Sequence, residues 1–182
     1  RVAFEDQLRR PMPTEPTFAA HRGSALHAWI ERQYGHTTLL DDDDLTQGIL
    51  GPDEAEDVDL AALKATFEAS EWARRTPLAI EVDVELPVGG TTIRSRIDAV
   101  FPPGNGLDKV TVVDWKSGKP PRDAQEQAAR EVQLAVYRLA WSLWKGVPLE
   151  DVDAAFYYVA TNETVRPRAL LSREDIEALL RR

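Results

Sequence analysis

The stretch Lys109-Val110-Thr111-Val112-Val113-Asp114-Trp115-Lys116-Ser117-Gly118 decides the fold. Its valines predict a central β-strand over 109–116, which ends at Ser117. Alternate residues of a strand share a face, so Asp114 and Lys116 project together while Trp115 points the opposite way, into the core. Because the strand ends directly afterwards, this acidic and basic pair lies at the open edge of a sheet, where it can hold a divalent cation.

The segment 79–88 alternates strictly between apolar and polar residues, which predicts a half-buried strand. The expected core face carries Ile80, Val82, Val84, Leu86 and Val88, and the expected solvent face carries Glu81, Asp83 and Glu85. Gly89–Gly90 is a two-residue hairpin signal. The chain is therefore expected to return as a second strand over 91–101, whose core face carries Ile93, Ile97, Ala99 and Phe101.

Asp98 lies on the polar face of that second strand. If the strand pairs with 109–116, Asp98 and Asp114 converge on one ion, and hard cations such as Mg²⁺ prefer oxygen ligands. The alternative is an ordinary cross-strand ion pair between Asp98 and Lys116. An Asp-x-Lys triplet is common by chance, so the triplet alone favours this alternative.

The remaining elements predict an α/β fold. Helices are expected over 24–34, capped by Ser24, over 58–75 and over 123–145, ended by Gly146. A fourth strand is expected over 152–160, and a short final helix begins at Ser172, with Asp175 resembling a capping box. Together they predict a mixed sheet of about four or five strands with helices on both sides and an N-terminal helical extension.

The composition excludes several classes of site. The chain has no cysteine, which rules out disulfides, thiolate zinc sites and iron–sulfur clusters. A reducing cytoplasm is the expected location. The longest apolar runs are far below the roughly 18 residues that a membrane span needs, so no membrane association is expected.

Four ordered motifs carry a family resemblance. They are Arg22-Gly23-Ser24-Ala25-Leu26-His27, Arg96-Ile97-Asp98-Ala99-Val100, Val112-Val113-Asp114-Trp115-Lys116-Ser117-Gly118 and Gln133-Leu134-Ala135-Val136-Tyr137. The chain resembles the RecB-like nucleases of the PD-(D/E)XK superfamily over roughly residues 20–160. The signature proline-aspartate dipeptide is absent, because Asp98 follows Ile97, and the family tolerates this departure.

The resemblance implies a metal centre. Asp98, Asp114 and the Trp115 carbonyl are expected as ligands of Mg²⁺ or Mn²⁺. His27 is expected to join them as a ligand or to lie at a second metal. The other implied roles are catalytic: Lys116 orients the attacking water or neutralises charge on the phosphate, and Gln133 and Tyr137 steady the site or contact the DNA backbone.

The resemblance also implies a function and a setting. The expected activity is hydrolysis of phosphodiester bonds in DNA, most readily single-stranded DNA delivered by a helicase motor, during break repair or recombination in the bacterial cytoplasm near the nucleoid. The expected organisation is a single domain over 1–182, as a fragment of a larger helicase–nuclease. Residues 1–78 form its helical part with His27 and an acidic loop, and 79–182 form the nuclease core.

The net charge of -9 is unusual for a protein that binds DNA. Residues 41–59 contain nine acidic and no basic residues, and the rest of the chain balances at 22 acidic against 22 basic. Residues 41–57 are expected to form an exposed acidic loop. Its ordinary interpretation is solvated surface, and its functional interpretation is a decoy that occupies the DNA groove.

Three other functions stay open from the sequence. A catalytically silent DNA-binding or scaffolding module is disfavoured because His27, Asp98, Asp114 and Lys116 are all present. A nuclease acting on RNA has the same metal site and differs only in substrate. An interaction domain that binds a basic partner through its acidic loop needs no metal.

Several residues outside the motifs have two interpretations. Glu81 is either an auxiliary acid near the metal or solvated strand surface. Trp141 and Trp144 are expected in the core, because they continue the apolar face of a helix, with base stacking as the alternative. The basic residues that either contact phosphates or are simply exposed are Lys119, Arg122 and Arg130.

Overall fold

Residues 18–35, 54–88 and 90–180 are described by the computed structural model. The helices are α1 (Phe18–Gln33), α2 (Glu54–Ala69), α3 (Ala124–Lys145) and α4 (Arg173–Leu180). The strands are β1 (Ala79–Val88), β2 (Thr91–Phe101), β3 (Val110–Lys116), β4 (Val152–Tyr158) and β5 (Glu163–Val165). A 3₁₀ turn at Trp72–Arg74 connects α2 to the sheet.

The five strands form one mixed sheet in the order β1-β2-β3-β4-β5. Neighbouring strands are antiparallel except β3 and β4, which are parallel and joined by α3. A parallel pair needs a long crossover connection, and the 22-residue helix α3 supplies it. With helices on both faces, this arrangement confirms the predicted α/β fold.

Each face of the sheet has its own apolar core. The first is covered by α3 and α4, and its buried residues include Val112, Leu134 and Ile176. The second is covered by α1 and α2, and it contains Val113 and Trp115. Strand β3 is therefore buried on both faces, which explains why its sequence is a run of valines rather than an alternation.

The second core is built around aromatic rings. The Phe67 ring of α2 meets the Trp115 ring edge-on with centroids 5.5 Å apart, and it contacts Trp29 and Tyr157 at 5.9 and 6.2 Å. Trp72 packs on Phe101 at 5.1 Å. Edge-to-face aromatic pairs add to the free energy of simple burial. They fix α1 and α2 on the sheet.

The ends of α3 and α4 follow the expected capping chemistry. The Gln125 amide donates to the Asp123 carboxylate at 2.8 Å, and Gly146 ends α3 with a left-handed φ of 65°. At α4, the Asp175 amide donates to Ser172 Oγ at 3.2 Å, and the Ser172 amide donates to the Asp175 carboxylate at 3.0 Å. The capping box predicted at Ser172 is therefore confirmed.

Several predicted element boundaries were wrong. Helix α1 begins at Phe18, so Ser24 lies inside it and is not its cap. Helix α2 starts at Glu54, within the predicted acidic loop, and ends at Ala69 instead of reaching residue 75. Acidic residues are favourable at a helix N-terminus, which is compatible with the earlier start. Residues 41–53 of that loop lie outside the described residues, and the short strand β5 was not predicted.

The strict alternation predicted along β1 and β2 is broken near Glu81 and Asp98. Ile80 and Ala99, which are register partners, pack in the second core. Val84 and Ile97 pack in the first. Glu81 has a left-handed φ of 47° at this change of face. The predicted single core face of each strand was therefore wrong.

Within the described ranges, none of the helices combines the length and apolarity that crossing a membrane requires.

Candidate active site

The two predicted aspartates meet where β2 and β3 lie side by side. Asp98 and Asp114 are 7% and 2% exposed. The Trp115 amide donates to Asp98 Oδ2 at 2.7 Å, so the backbone of β3 holds the carboxylate of β2 in place. The other carboxylate oxygen of Asp98 is directed toward His27, at 3.6 Å from its Nδ1.

Helix α1 brings His27 to the same point. Its Nε2 donates to the Trp115 carbonyl at 3.0 Å, and its Nδ1 lies 3.5 Å from Glu81 Oε1. A hydrogen bond at one ring nitrogen selects the tautomer and leaves the other nitrogen free to bind a metal. His27 is thus oriented with Nδ1 toward the two carboxylates.

Glu81 is part of this cluster, although strand alternation placed it on the solvent face with Asp83. Its side chain is 10% exposed, whereas that of Asp83 is 78% exposed. Because the backbone at Glu81 is left-handed, its side chain does not share the orientation of its neighbours on the strand. The sequence offered Glu81 only as an alternative auxiliary acid, and nothing in the alternation signals its inward turn.

His27, Glu81 and Asp98 form a group whose ligand atoms all lie within 4.8 Å of one another. One imidazole nitrogen and two carboxylate oxygens fit a divalent cation. Asp114 lies outside this trio, and its Oδ2 is 2.7 Å from Lys116 Nζ. The Trp115 carbonyl accepts from His27, and its second lone pair can face a cation.

The electrostatics of the group favour added positive charge. Burial raises the pKa of Asp98 to about 7, and the charge of Asp114 adds to the rise. Burial also raises the pKa of Asp114, against the opposing charge of Lys116. For His27, burial lowers the pKa, but the hydrogen bond to Glu81 and the charge of Asp98 outweigh it and raise the pKa to about 9. A divalent cation stabilises these carboxylates in their ionised form.

Gln133 and Tyr137 stand on α3 beside the cluster. Gln133 Nε2 donates to the Tyr137 hydroxyl at 2.7 Å. Burial raises the pKa of Tyr137, and the negative charge of Asp114 raises it further. The pair is therefore a hydrogen-bonded unit within electrostatic reach of the predicted metal ligands.

The two candidate stacking tryptophans differ. Trp141 is 4% exposed, which confirms its place in the core. Trp144 is 51% exposed, so its expected burial was wrong. Lys145 Nζ lies 3.5 Å from the centroid of the Trp144 ring, and this cation covers the ring where a core neighbour was expected.

Comparison with known proteins agrees with this geometry. A family model described as "PD-(D/E)XK nuclease superfamily" matches residues 2–182. No protein with a curated description matches the chain. The chain belongs to the PD-(D/E)XK nuclease superfamily.

Two solved structures are similar to the chain. One is a crystal structure described as "Putative exonuclease" from Eubacterium rectale, with a TM-score of 0.64 and 15% identity, covering 97% of this chain and 67% of the other. The second is the crystal structure of SSO0001, with a TM-score of 0.42 and 17% identity, covering 97% and 79% of the two chains. The first likeness supports the nuclease fold.

Proposed function

We propose that this domain is a metal-dependent deoxyribonuclease that hydrolyses phosphodiester bonds in single-stranded DNA. The observation that carries the proposal is the convergence of His27, Glu81 and Asp98 within 4.8 Å, beside the Asp114–Lys116 pair. These residues come from α1, β1, β2 and β3, and they meet in a chain of a nuclease superfamily.

The cluster would hold a divalent cation, which we propose to be Mg²⁺ or Mn²⁺. His27 Nδ1 and the carboxylates of Glu81 and Asp98 would be its ligands, and Asp114 and the Trp115 carbonyl would complete the set. When bound, a divalent cation lowers the pKa of a coordinated water and polarises a phosphoryl oxygen. The imidazole ligand favours Mn²⁺ over Mg²⁺, because Mg²⁺ prefers oxygen donors and retains its waters.

Lys116 and the α3 pair have supporting roles. The Lys116 side chain is one-quarter exposed and its ammonium contacts Asp114, so a phosphate at the site can reach it. There it stabilises the negative charge that grows on the phosphoryl oxygens. Gln133 and Tyr137 would steady the site through their mutual hydrogen bond or contact the DNA backbone.

The preference for single-stranded DNA and the helicase partner are part of the proposal. A net charge of -9 gives the domain weak affinity of its own for DNA. A motor that delivers the strand supplies the missing affinity. We also propose that residues 1–182 are a single domain, with a helical part over 1–78 and a nuclease core over 79–182. Its proposed role is DNA break repair in the bacterial cytoplasm.

The test is cleavage of end-labelled linear DNA, single-stranded and double-stranded, with a matched RNA, in Mg²⁺, Mn²⁺ or EDTA. The wild type is expected to cut single-stranded DNA fastest, only with metal, and Asp114→Ala is expected to be inactive. Preferential cutting of the RNA would reassign the substrate. Wild-type protein that neither binds Mn²⁺ nor cuts any of the substrates would favour the silent scaffolding module.

A further inference from the structure

Two cations lie over neighbouring aromatic rings of β4. Lys116 Nζ is 5.9 Å from the centroid of the Phe156 ring, and the Arg130 guanidinium is 5.9 Å from that of Tyr158. The two rings are 6.0 Å apart. Tyr158 is also the register partner of Lys116 across the parallel pair, so Arg130 lies beside the proposed catalytic lysine.

Arg130 is anchored on its buried side and paired on its exposed side. Its Nη1 donates to the hydroxyl of Tyr158, a residue only 2% exposed, at 3.3 Å. Its Nη2 donates to the Glu126 carboxylate, one turn earlier on α3, and the Glu126 side chain is 52% exposed. The guanidinium is therefore held in position by the sheet, while its counter-ion is a surface group that a stronger anion can replace.

Four other basic residues in the described part of the chain have different surroundings. Arg138 donates to the carbonyls of Val152 and Leu149, which connects α3 to the start of β4. Arg96 forms a two-point pair with Asp83 on the neighbouring strand. Lys119 and Arg122 are exposed. Arg130 combines a buried anchor, partial exposure of 28% and a position next to Lys116.

We propose that Arg130 binds the DNA phosphate adjacent to the one that Lys116 contacts, and that Glu126 is the counter-ion which this phosphate displaces. This inference rests on the proposed function, because it needs DNA at the Lys116 site. The planar guanidinium suits the oxygens of a phosphate, and a fixed donor loses less entropy on binding than a free side chain. Arg130 thereby sets the register of the strand relative to the metal ligands.

The test measures binding of a fluorescent single-stranded oligonucleotide by anisotropy over a range of salt concentrations, with Ca²⁺ replacing the catalytic metal. Arg130→Gln is expected to weaken binding roughly 10-fold at low salt, as for loss of a charged hydrogen bond. It is also expected to reduce the slope of log affinity against log salt by about 0.7, the value for one phosphate contact on a single strand. Glu126→Gln is expected to bind more tightly, because the guanidinium loses its competing partner.

Arg173→Gln is the matched control. Arg173 forms the same kind of i,i+4 pair, with Glu177 on α4, so its loss removes an equal charge from another helix. Equal affinity and salt slope for Arg130→Gln and Arg173→Gln would overturn the inference. So would weaker binding by Glu126→Gln.

A second measurement locates the contact on the DNA. A series of oligonucleotides, each with one uncharged methylphosphonate linkage, is bound to the wild type and to Arg130→Gln. One linkage is expected to weaken the wild type and to leave Arg130→Gln unaffected; identical profiles for the two proteins would contradict the assignment. Wild-type protein that neither binds Mn²⁺ nor cuts any DNA would instead refute the proposed function itself.

Discussion

His27 joins the backbone of β3 to the acidic cluster, because its two ring nitrogens have different partners. Nε2 donates to the Trp115 carbonyl, and Nδ1 faces Glu81 and Asp98. The backbone amide of the same residue, Trp115, donates to the carboxylate of Asp98. Trp115 therefore orients two of the proposed ligands, His27 and Asp98, through its backbone, while its indole ring packs in the second core.

Glu81→Gln tests whether this glutamate is a ligand. Removing a residue that hydrogen-bonds to a metal ligand commonly weakens metal affinity by about 10-fold to 100-fold. Removing a ligand itself is expected to weaken the affinity by at least as much. The Mn²⁺ concentration that gives half-maximal cleavage is expected to rise accordingly. Asp83→Asn is the control, since it removes the same charge two residues away on the exposed face, and it should leave this concentration unchanged. If both variants need the same Mn²⁺ concentration for half-maximal cleavage, Glu81 is not a metal ligand.

Asp98 gives the metal-free protein a characteristic dependence of stability on pH. Its pKa is about 7 in the folded protein and 3.8 ordinarily, so the folded state binds the additional proton between these values. This contribution to stability is fully present below pH 4 and is lost as the pH rises through 7. His27, with a pKa raised from 6.5 to about 9, adds stability below 6.5 that is lost toward pH 9.

The measurement is the thermal midpoint against pH in EDTA for the wild type and Asp98→Asn. The variant is expected to show a smaller fall between pH 4 and 7, because asparagine does not titrate. Saturating Mn²⁺ should stabilise the wild type more as the pH rises, since metal and protons compete for the same groups. Parallel curves for the two proteins would show that Asp98 has an ordinary pKa.

Most residues of the cluster could be predicted from the sequence, but the inward orientation of Glu81 could not. The spacing of Asp114 and Lys116 on a strand determines that they share a side of β3, and the motifs added His27 and Asp98. The orientation of Glu81 depends on a φ of 47°, which a non-glycine residue adopts only when its surroundings enforce it. Alternation assumes a regular strand and therefore predicts the opposite orientation.

Helices α1 and α2 place His27 through packing rather than through hydrogen bonds alone. Phe67 of α2 is 1% exposed and touches rings from both α1 and the sheet, at Trp29 and Trp115. The position of α1 on the sheet, and thus of His27 relative to Asp98, depends on this contact.

Phe67→Ala is expected to lower the free energy of unfolding by roughly 3–5 kcal/mol, the usual cost of removing a buried aromatic ring. Chemical denaturation measures the change. Glu68→Ala, the next residue of the same helix and exposed, is expected to stay within about 0.5 kcal/mol of the wild type. A similar loss in both variants would mean that the aromatic cluster does not fix α2.

Element prediction succeeded where the periodicity was long and failed where it was short. The valine run of β3 and the 22-residue α3 with its Asp123 and Gly146 caps have strong signals. Strand β5 is three residues long, too short for any period to be visible. The early start of α2 was missed because a dense acidic run resembles a loop until the helix that follows it is known.

At the scale of the whole molecule, the topology explains where the site lies. The antiparallel pair β2–β3 and the parallel pair β3–β4 bring Asp98, Lys116 and Tyr158 to neighbouring positions of one sheet. Helix α1 covers one face there and α3 the other, so His27 and Arg130 approach the same strand end from opposite sides. Although the chain is negatively charged as a whole, the positive charges of Lys116 and Arg130 therefore lie next to the carboxylates of the site.

The central claim is that these carboxylates and His27 bind a divalent cation, and calorimetric titration of the metal-free protein with Mn²⁺ tests it most directly. The wild type is expected to bind Mn²⁺ with release of protons near neutral pH, and Asp98→Asn is expected to lose most of that affinity. Asp83→Asn should bind as the wild type does. Failure of the wild type to bind Mn²⁺, or equal binding by Asp98→Asn, would contradict the account.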